Sequence, residues 1–187
     1  MDEQSQVVAV PAPKNEADLF PMYPMKGRTP VFPDDVKETH RRTKTPLLQY
    51  VLSARPLAFL TAPLIYLCLV AFLMLDVFVS LYQAICFPIY GIPKARRSDY
   101  LIFDRGALLY LNALERFNCI NCSYANGLIA YVMEIVGRTE QHWCPLKHAQ
   151  KLITQHSRYR SFLPYGDARM YRERIDGVRE EFEDLRP

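Results

Sequence analysis

Charge is what this chain lacks over its longest stretch: residues 57–93 contain one charged side chain, Asp76, and residues 57–75 contain none. About twenty apolar residues are enough to cross a hydrocarbon core of roughly 30 Å, so this stretch places the protein at a membrane. Turn formers are missing as well, since no Gly, Pro or Asn lies near Asp76. Two complete crossings would need about forty residues and a turn, which excludes a hairpin of two full spans here. No small-residue cleavage site closely follows the apolar run, and the run begins more than fifty residues into the chain. A cleaved secretory leader is therefore not expected. Metal-protease, phosphate-loop, dinucleotide and nucleophile-elbow motifs are all absent from the sequence, so no reaction is legible in it. The net charge is only +3, which gives nucleic-acid binding no support, and basic residues beside the apolar run match anionic lipid headgroups instead.

Read as one helix from residue 57 to residue 87, the apolar run would be about 46 Å long, more than a bilayer core requires. Its breakers sit at the ends, at Pro56 and Pro63 before and at Pro88, Gly91 and Pro93 after. One membrane-anchoring helix with an interfacial extension, covering 56–93, is the reading that follows. Arg41, Arg42, Lys44 and Arg55 precede it and Lys94, Arg96 and Arg97 follow it, so the positive-inside signal is nearly balanced. Balance leaves a re-entrant, monotopic anchor with both ends in the cytoplasm as the alternative. Asp76, Ser80 and Gln83 recur at helical spacing and form one polar stripe that should not face lipid. The stripe is expected to meet another membrane protein or the chain's own soluble part, unless Asp76 sits solvated at headgroup depth.

Residues 1–45 are Pro-rich with alternating charge, a composition that points to a disordered tail. Within it, Leu19, Phe20, Met22, Tyr23 and Met25 could form a docking or headgroup-dipping cluster, or an extended linker. Some ninety residues then remain for one small core. The expected fold class is all-α: the anchor, then a helical domain of three to four helices over 100–156, then a charged amphipathic helix over 167–186. Leu108, Leu111, Leu114 and Phe117 suggest a helix starting near Asp104 or Arg105, and Leu128, Tyr131, Val132, Ile135 and Val136 a second over about 123–140. Cys144-Pro145 reads as a third helix start. Tyr171, Ile175, Val178, Phe182 and Leu185 make a short seam that could pair in a homodimer or pack back on the domain.

Five cysteines divide into Cys68 and Cys86 in the anchor and Cys119, Cys122 and Cys144 beyond it. Cys119-x-x-Cys122, then twenty-one residues, then Cys144-x-x-x-His148 offers three thiolates and an imidazole, a closed tetrahedral set for zinc that also suits iron. Cys144 at a helix N-terminus would have a lowered thiol pKa. The objection is geometric, because an unbroken helix over 123–140 would hold the two pairs about 27 Å apart; Gly127 and Gly137 are the residues that could bend it. The alternative is a membrane-tethered thiol-disulfide oxidoreductase using the Cys119/Cys122 dithiol, and a third reading is buried structural thiols. An odd cysteine count without a leader favours a reducing compartment. Glu134 and Arg138 are expected to form an ion pair four residues apart.

Asp76-Val77-Phe78, Tyr82 through Pro88, Gly91-Ile92-Pro93, Phe103-Asp104-Arg105, Cys119-Ile120-Asn121-Cys122-Ser123-Tyr124-Ala125-Asn126-Gly127-Leu128-Ile129-Ala130-Tyr131 and Cys144-Pro145-Leu146-Lys147-His148 together resemble short uncharacterised bacterial membrane proteins. The resemblance covers about residues 57–150. It implies a bacterial inner-membrane setting and carries no activity, cofactor or catalytic residue. The expectation is thus a membrane-anchored accessory or interaction protein with a cytoplasmic helical domain, able to hold a zinc or iron ion through Cys119, Cys122, Cys144 and His148.

Overall fold

Local chemistry sets most element boundaries in the computed structural model, which describes residues 23–185. Strands β1 (Met25–Lys26) and β2 (Thr29–Pro30) form a hairpin turned at Gly27, whose φ of 66° is open to glycine without steric cost. Helix α1 (Asp34–Arg42) carries Asp34 and Asp35 in its first turn and His40, Arg41 and Arg42 in its last, the order a helix dipole favours. After α2 (Leu47–Ser53), Pro56 opens α3 (Pro56–Tyr90) at a position where its missing N–H costs nothing. Gly91 closes α3 in the left-handed conformation. Pro63 and Pro88 are accommodated within it, and its 35 residues make a rod about 52 Å long.

Residues 23–45 correct the expectation of a disordered tail reaching residue 45. Phe32 is buried there, edge-on to Tyr23 and to the His40 ring, which in turn meets Tyr110. The four rings supply the apolar contact that the composition alone did not promise. Residues 1–22, with the first part of the Leu19 to Met25 cluster, lie outside the described residues.

Beyond α3 come a single turn, α4 (Arg97–Tyr100), a tight turn at Asp104–Ala107, and then α5 (Ala113–Trp143). The two helices expected near Asp104 and over 123–140 are therefore one. It starts where Asn112 offers the first strong cap: the Asn112 side chain accepts from Leu114 and Glu115 N–H groups at 3.0 Å each, and the Asn112 N–H donates to Glu115 Oε2 at 2.9 Å. This is a complete capping box. Asn112→Ala should lower stability by about 1–2 kcal/mol, with Asn112→Asp near wild type; denaturant unfolding in detergent would show it, and equal midpoints for all three would refute the cap's role.

Cys144 does not begin a helix. It closes α5, donating its N–H to the Glu140 carbonyl at 2.7 Å, and the chain continues into a parallel bridge between Leu146 and Leu163. Capped by Asp167, α6 (Ala168–Glu180) then packs back: Ile175 and Val178 are buried, and Gln141 of α5 donates to the Val178 and Glu181 carbonyls at 3.0 and 2.7 Å. Phe182 joins the main core. The Arg158 guanidinium, hydrogen-bonded to Asp184, holds that carboxyl below the usual range.

The two long helices lie side by side and point the same way. Along α3, Tyr66 meets Phe117 and Asn118, Asp76 meets Tyr124, Gln83 meets Tyr131, and Tyr90 meets His142 and Trp143. Partner numbers rise together, whereas an antiparallel pair would have them run in opposite directions. Residues 91–112 must therefore double back along the pair. Their path is marked by the Pro93 carbonyl at Arg138, Ala95 at Gln83, Arg97 at Asp76 and Tyr100 at Tyr131. Ile92, Ala95 and Leu101 fill the trough between the helices, against Phe87, Leu128 and Ile135.

Candidate functional site: an apolar face and a buried polar seam

Among the described residues, only one strip of α3 is covered by protein. Ala62, Tyr66, Leu69, Phe72, Asp76, Val79, Gln83 and Phe87 are half-buried or buried and follow each other by three or four residues, one line on a helix. The rest of the surface is open: Leu60, Leu64, Leu67, Met74, Phe78, Leu81, Ile85 and Ile89 are each at least half exposed. Only 6% of the residues in its most apolar window are buried, against 22% for α5. Both helices, as Phe59–Tyr90 and Ala113–Trp143, are long and apolar enough to cross a membrane by length and composition. A contiguous apolar face of this length marks a membrane or interaction surface.

The strip facing α5 carries the polar stripe, and the chain itself satisfies it. Tyr124 donates to Asp76 Oδ2 at 2.8 Å, Ser80 to Oδ1 at 3.2 Å, and the Arg97 guanidinium pairs with Oδ1. That carboxylate raises the Arg97 pKa above its ordinary value. Two helical turns on from Asp76, the Gln83 side chain accepts from the Ala95 N–H at 2.7 Å and donates to the Tyr131 hydroxyl at 2.7 Å. Further along, Arg138 donates to Glu134 at 2.8 Å and to the Pro93 carbonyl at 2.7 Å, with only 6% of the Arg138 side chain exposed. Buried polar groups are costly unless paired, and here the pairings of Asp76, Gln83 and Arg138 together tie α3, α5 and the returning segment to one another. Arrangements of this kind fix geometry; their side chains are already engaged with one another.

The four expected metal ligands are not brought together. Cys119 and Cys122 lie in the first third of α5 and Cys144 at its far end, and an unbroken helix separates Cys122 from Cys144 by about 33 Å. Gly127 and Gly137 do not bend it. Each instead admits a neighbour: a Cβ on Gly127 would lie 2.6 Å from the Tyr100 carbonyl oxygen, and one on Gly137 would lie 2.8 Å from the His156 ring. His148 stands in the following loop, its ring over Tyr159 and its N–H donating to the Tyr159 hydroxyl at 2.7 Å. Among the described residues no group of three or more His, Cys, Asp or Glu is placed to hold a metal ion. All five cysteines are free. The Cys119/Cys122 pair lies inside the helix, on consecutive turns of its first third. Its Cβ spacing of about 5–6 Å on a helix exceeds that of a disulfide.

What sequence reasoning did not find is the set of partners across the seam: Arg97 and Tyr124 for Asp76, Ala95 and Tyr131 for Gln83. The only signal was the stripe itself, since nothing local says which distant residues answer it. A cavity of about 520 Å³ between α2, α3 and α5, lined by Tyr50, Phe59, Ile65, Tyr66, Leu114 and Cys122 among others, was equally illegible. Comparison of the chain with protein-family models, curated proteins and solved structures gives no match in any of the three.

Proposed function

We propose that the chain is a membrane-anchored accessory or interaction protein of a bacterial inner membrane, held to the lipid by α3 and presenting a rigid helical platform on the cytoplasmic side. The observation that carries this reading is the open apolar surface along the full length of α3, with only 6% of its most apolar window buried. Water would hydrate that surface at about 25 cal/mol per Å² of apolar area, a cost that lipid removes. The cytoplasmic side is supported by the odd number of free thiols, which suits a reducing compartment. A metal shared by Cys119, Cys122, Cys144 and His148 is left out of this reading, as is dithiol chemistry, for the geometric reasons above.

Fractionation of cells expressing the full chain tests it. Wild type should sediment with membranes and resist alkaline carbonate. A variant with Leu64→Glu, Leu67→Glu and Phe78→Glu, all on the open face, should shift to the soluble fraction with its helical circular dichroism retained. A wild-type chain that is soluble and monodisperse without detergent would refute the proposal.

A further inference from the structure

A helix that crosses a bilayer must be free of charge over about twenty residues, and α3 has charged neighbours alongside most of its length. The returning segment carries Lys94, Arg96, Arg97, Asp99, Asp104 and Arg105, all exposed. It is held at successive levels of α3: Ala95 on Gln83, Arg97 on Asp76, and Phe103 beside Leu69 and Leu73. Arg28 bonds to the Ser98 carbonyl, and the His40 ring meets Tyr110, so the hairpin and the charged α1 sit on the same flank. Only about the first ten residues of α3 escape this company, some 15 Å of helix and half a hydrocarbon core.

The parallel course of α3 and α5 makes the conflict unavoidable. If either crossed, the segment joining them would have to return through the same hydrocarbon with its charges and largely non-helical backbone, both of which are costly there.

We infer that α3 does not cross: it lies along one leaflet, in the plane of the membrane surface, with all of the described polypeptide on one side. This rests on the membrane reading above and adds the geometry of contact. The lipid face is the open side of α3 continued by Leu47, Leu48 and Leu52 of α2, which are 46–76% exposed. A rod about 52 Å long, far beyond the core thickness, suits a helix sunk about 5–10 Å into the headgroup and acyl boundary. Exposed Arg41, Arg42, Lys44 and Arg55 border this face at one end, where anionic headgroups attract them. Tyr90 and Trp143, 42% and 52% exposed and packed edge to face, mark the other end, as aromatics do at a lipid–water boundary. A second copy of the chain would cover one strip of α3, whereas its exposed surface extends around most of the helix.

Labelling of native lysines on the wild-type chain tests the inference without cysteine substitutions. Sealed membrane vesicles of each orientation are treated with an impermeant amine reagent, with and without detergent, and the modified peptides are mapped. Lys44 before α3, and Lys94 and Lys151 after it, should be labelled in the same vesicle orientation and protected in the other until detergent is added. Labelling of Lys44 in one orientation and of Lys94 and Lys151 in the other would establish a crossing and overturn the inference while leaving the anchor intact. A chain that does not sediment with the vesicles and is labelled equally in both orientations would overturn the anchoring proposal itself. A dimer in mild detergent whose α3 is shielded from a lipid-soluble photoprobe in vesicles would replace lipid by a second copy and overturn the inference too.

Discussion

Gly127→Leu is expected to abolish the native fold, and Gly127→Ala to weaken it, against the intrinsic preference of a helix for alanine. A glycine inside a helix is less favourable than alanine by about 0.8–1 kcal/mol, so on local grounds the alanine variant should be the more stable. The neighbours reverse the sign. A Cβ at this position would meet the Tyr100 carbonyl oxygen at 2.6 Å and Leu101 Cα at 3.1 Å, and these are backbone atoms that cannot swing aside as the end of a side chain can. Forcing them away displaces Tyr100 and Leu101 from the trough where they pack with Tyr131 and Leu128, and overpacking of this kind costs about 1–3 kcal/mol for small insertions. Gly177 in α6 is the internal control, because a Cβ there meets nothing within 4 Å; Gly177→Ala should raise stability by up to about 1 kcal/mol. Denaturant unfolding of detergent-purified protein, followed by circular dichroism, reads both. A Gly127→Ala variant as stable as Gly177→Ala would mean that the returning segment does not lie on α5.

Removing the Asp76 carboxylate should be nearly as damaging. It is 7% exposed and accepts from Tyr124, Ser80 and Arg97, groups on α5, on α3 itself and at the start of α4. Asp76→Ala would leave the buried Tyr124 hydroxyl without its acceptor and the Arg97 guanidinium without its counter-charge. Breaking a buried pair costs about 3–5 kcal/mol, but the Arg97 side chain is 45% exposed and can turn partly to water, so about 2–4 kcal/mol is expected. Asp76→Asn keeps the size and an acceptor oxygen and should lose about 1–2 kcal/mol. Arg97→Ala alone should fall between them. The combined Asp76→Ala, Arg97→Ala variant should be less destabilised than the sum of its parts, with a coupling of at least about 1 kcal/mol. Additive effects would show that the two side chains do not meet across the turn after α3.

The seam also shows why a stripe could be read from sequence while its meaning could not. Asp76, Ser80 and Gln83 stand out because three polar residues at helical spacing in an apolar run are visible without knowing the fold. Whether they answer another protein, the headgroup layer or the same chain depends on Tyr124 and Tyr131, each forty-eight residues away. The cysteine pattern illustrates the converse. Cys119-x-x-Cys122 and Cys144-x-x-x-His148 each have plausible local spacing, but α5 runs straight from Ala113 to Trp143 and keeps the pairs apart. Its two glycines, which looked like hinges, are points of close approach for Tyr100 and His156.

The apolar run, the all-helical class, the polar stripe and the amphipathic edge of α6 were determined by the sequence alone, because each is a periodicity among residues within a few turns of one another. The direction of α5 relative to α3, the folding of residues 23–45 against Tyr110, and the burial of Phe182 in the main core were decided only by tertiary structure. Those outcomes depend on contacts between residues tens of positions apart, where neither propensity nor spacing constrains the pairing. The parallel course of the two long helices is the most consequential of them, since it carries a charged segment back along the covered strip of α3 and so determines which side of that helix stays open.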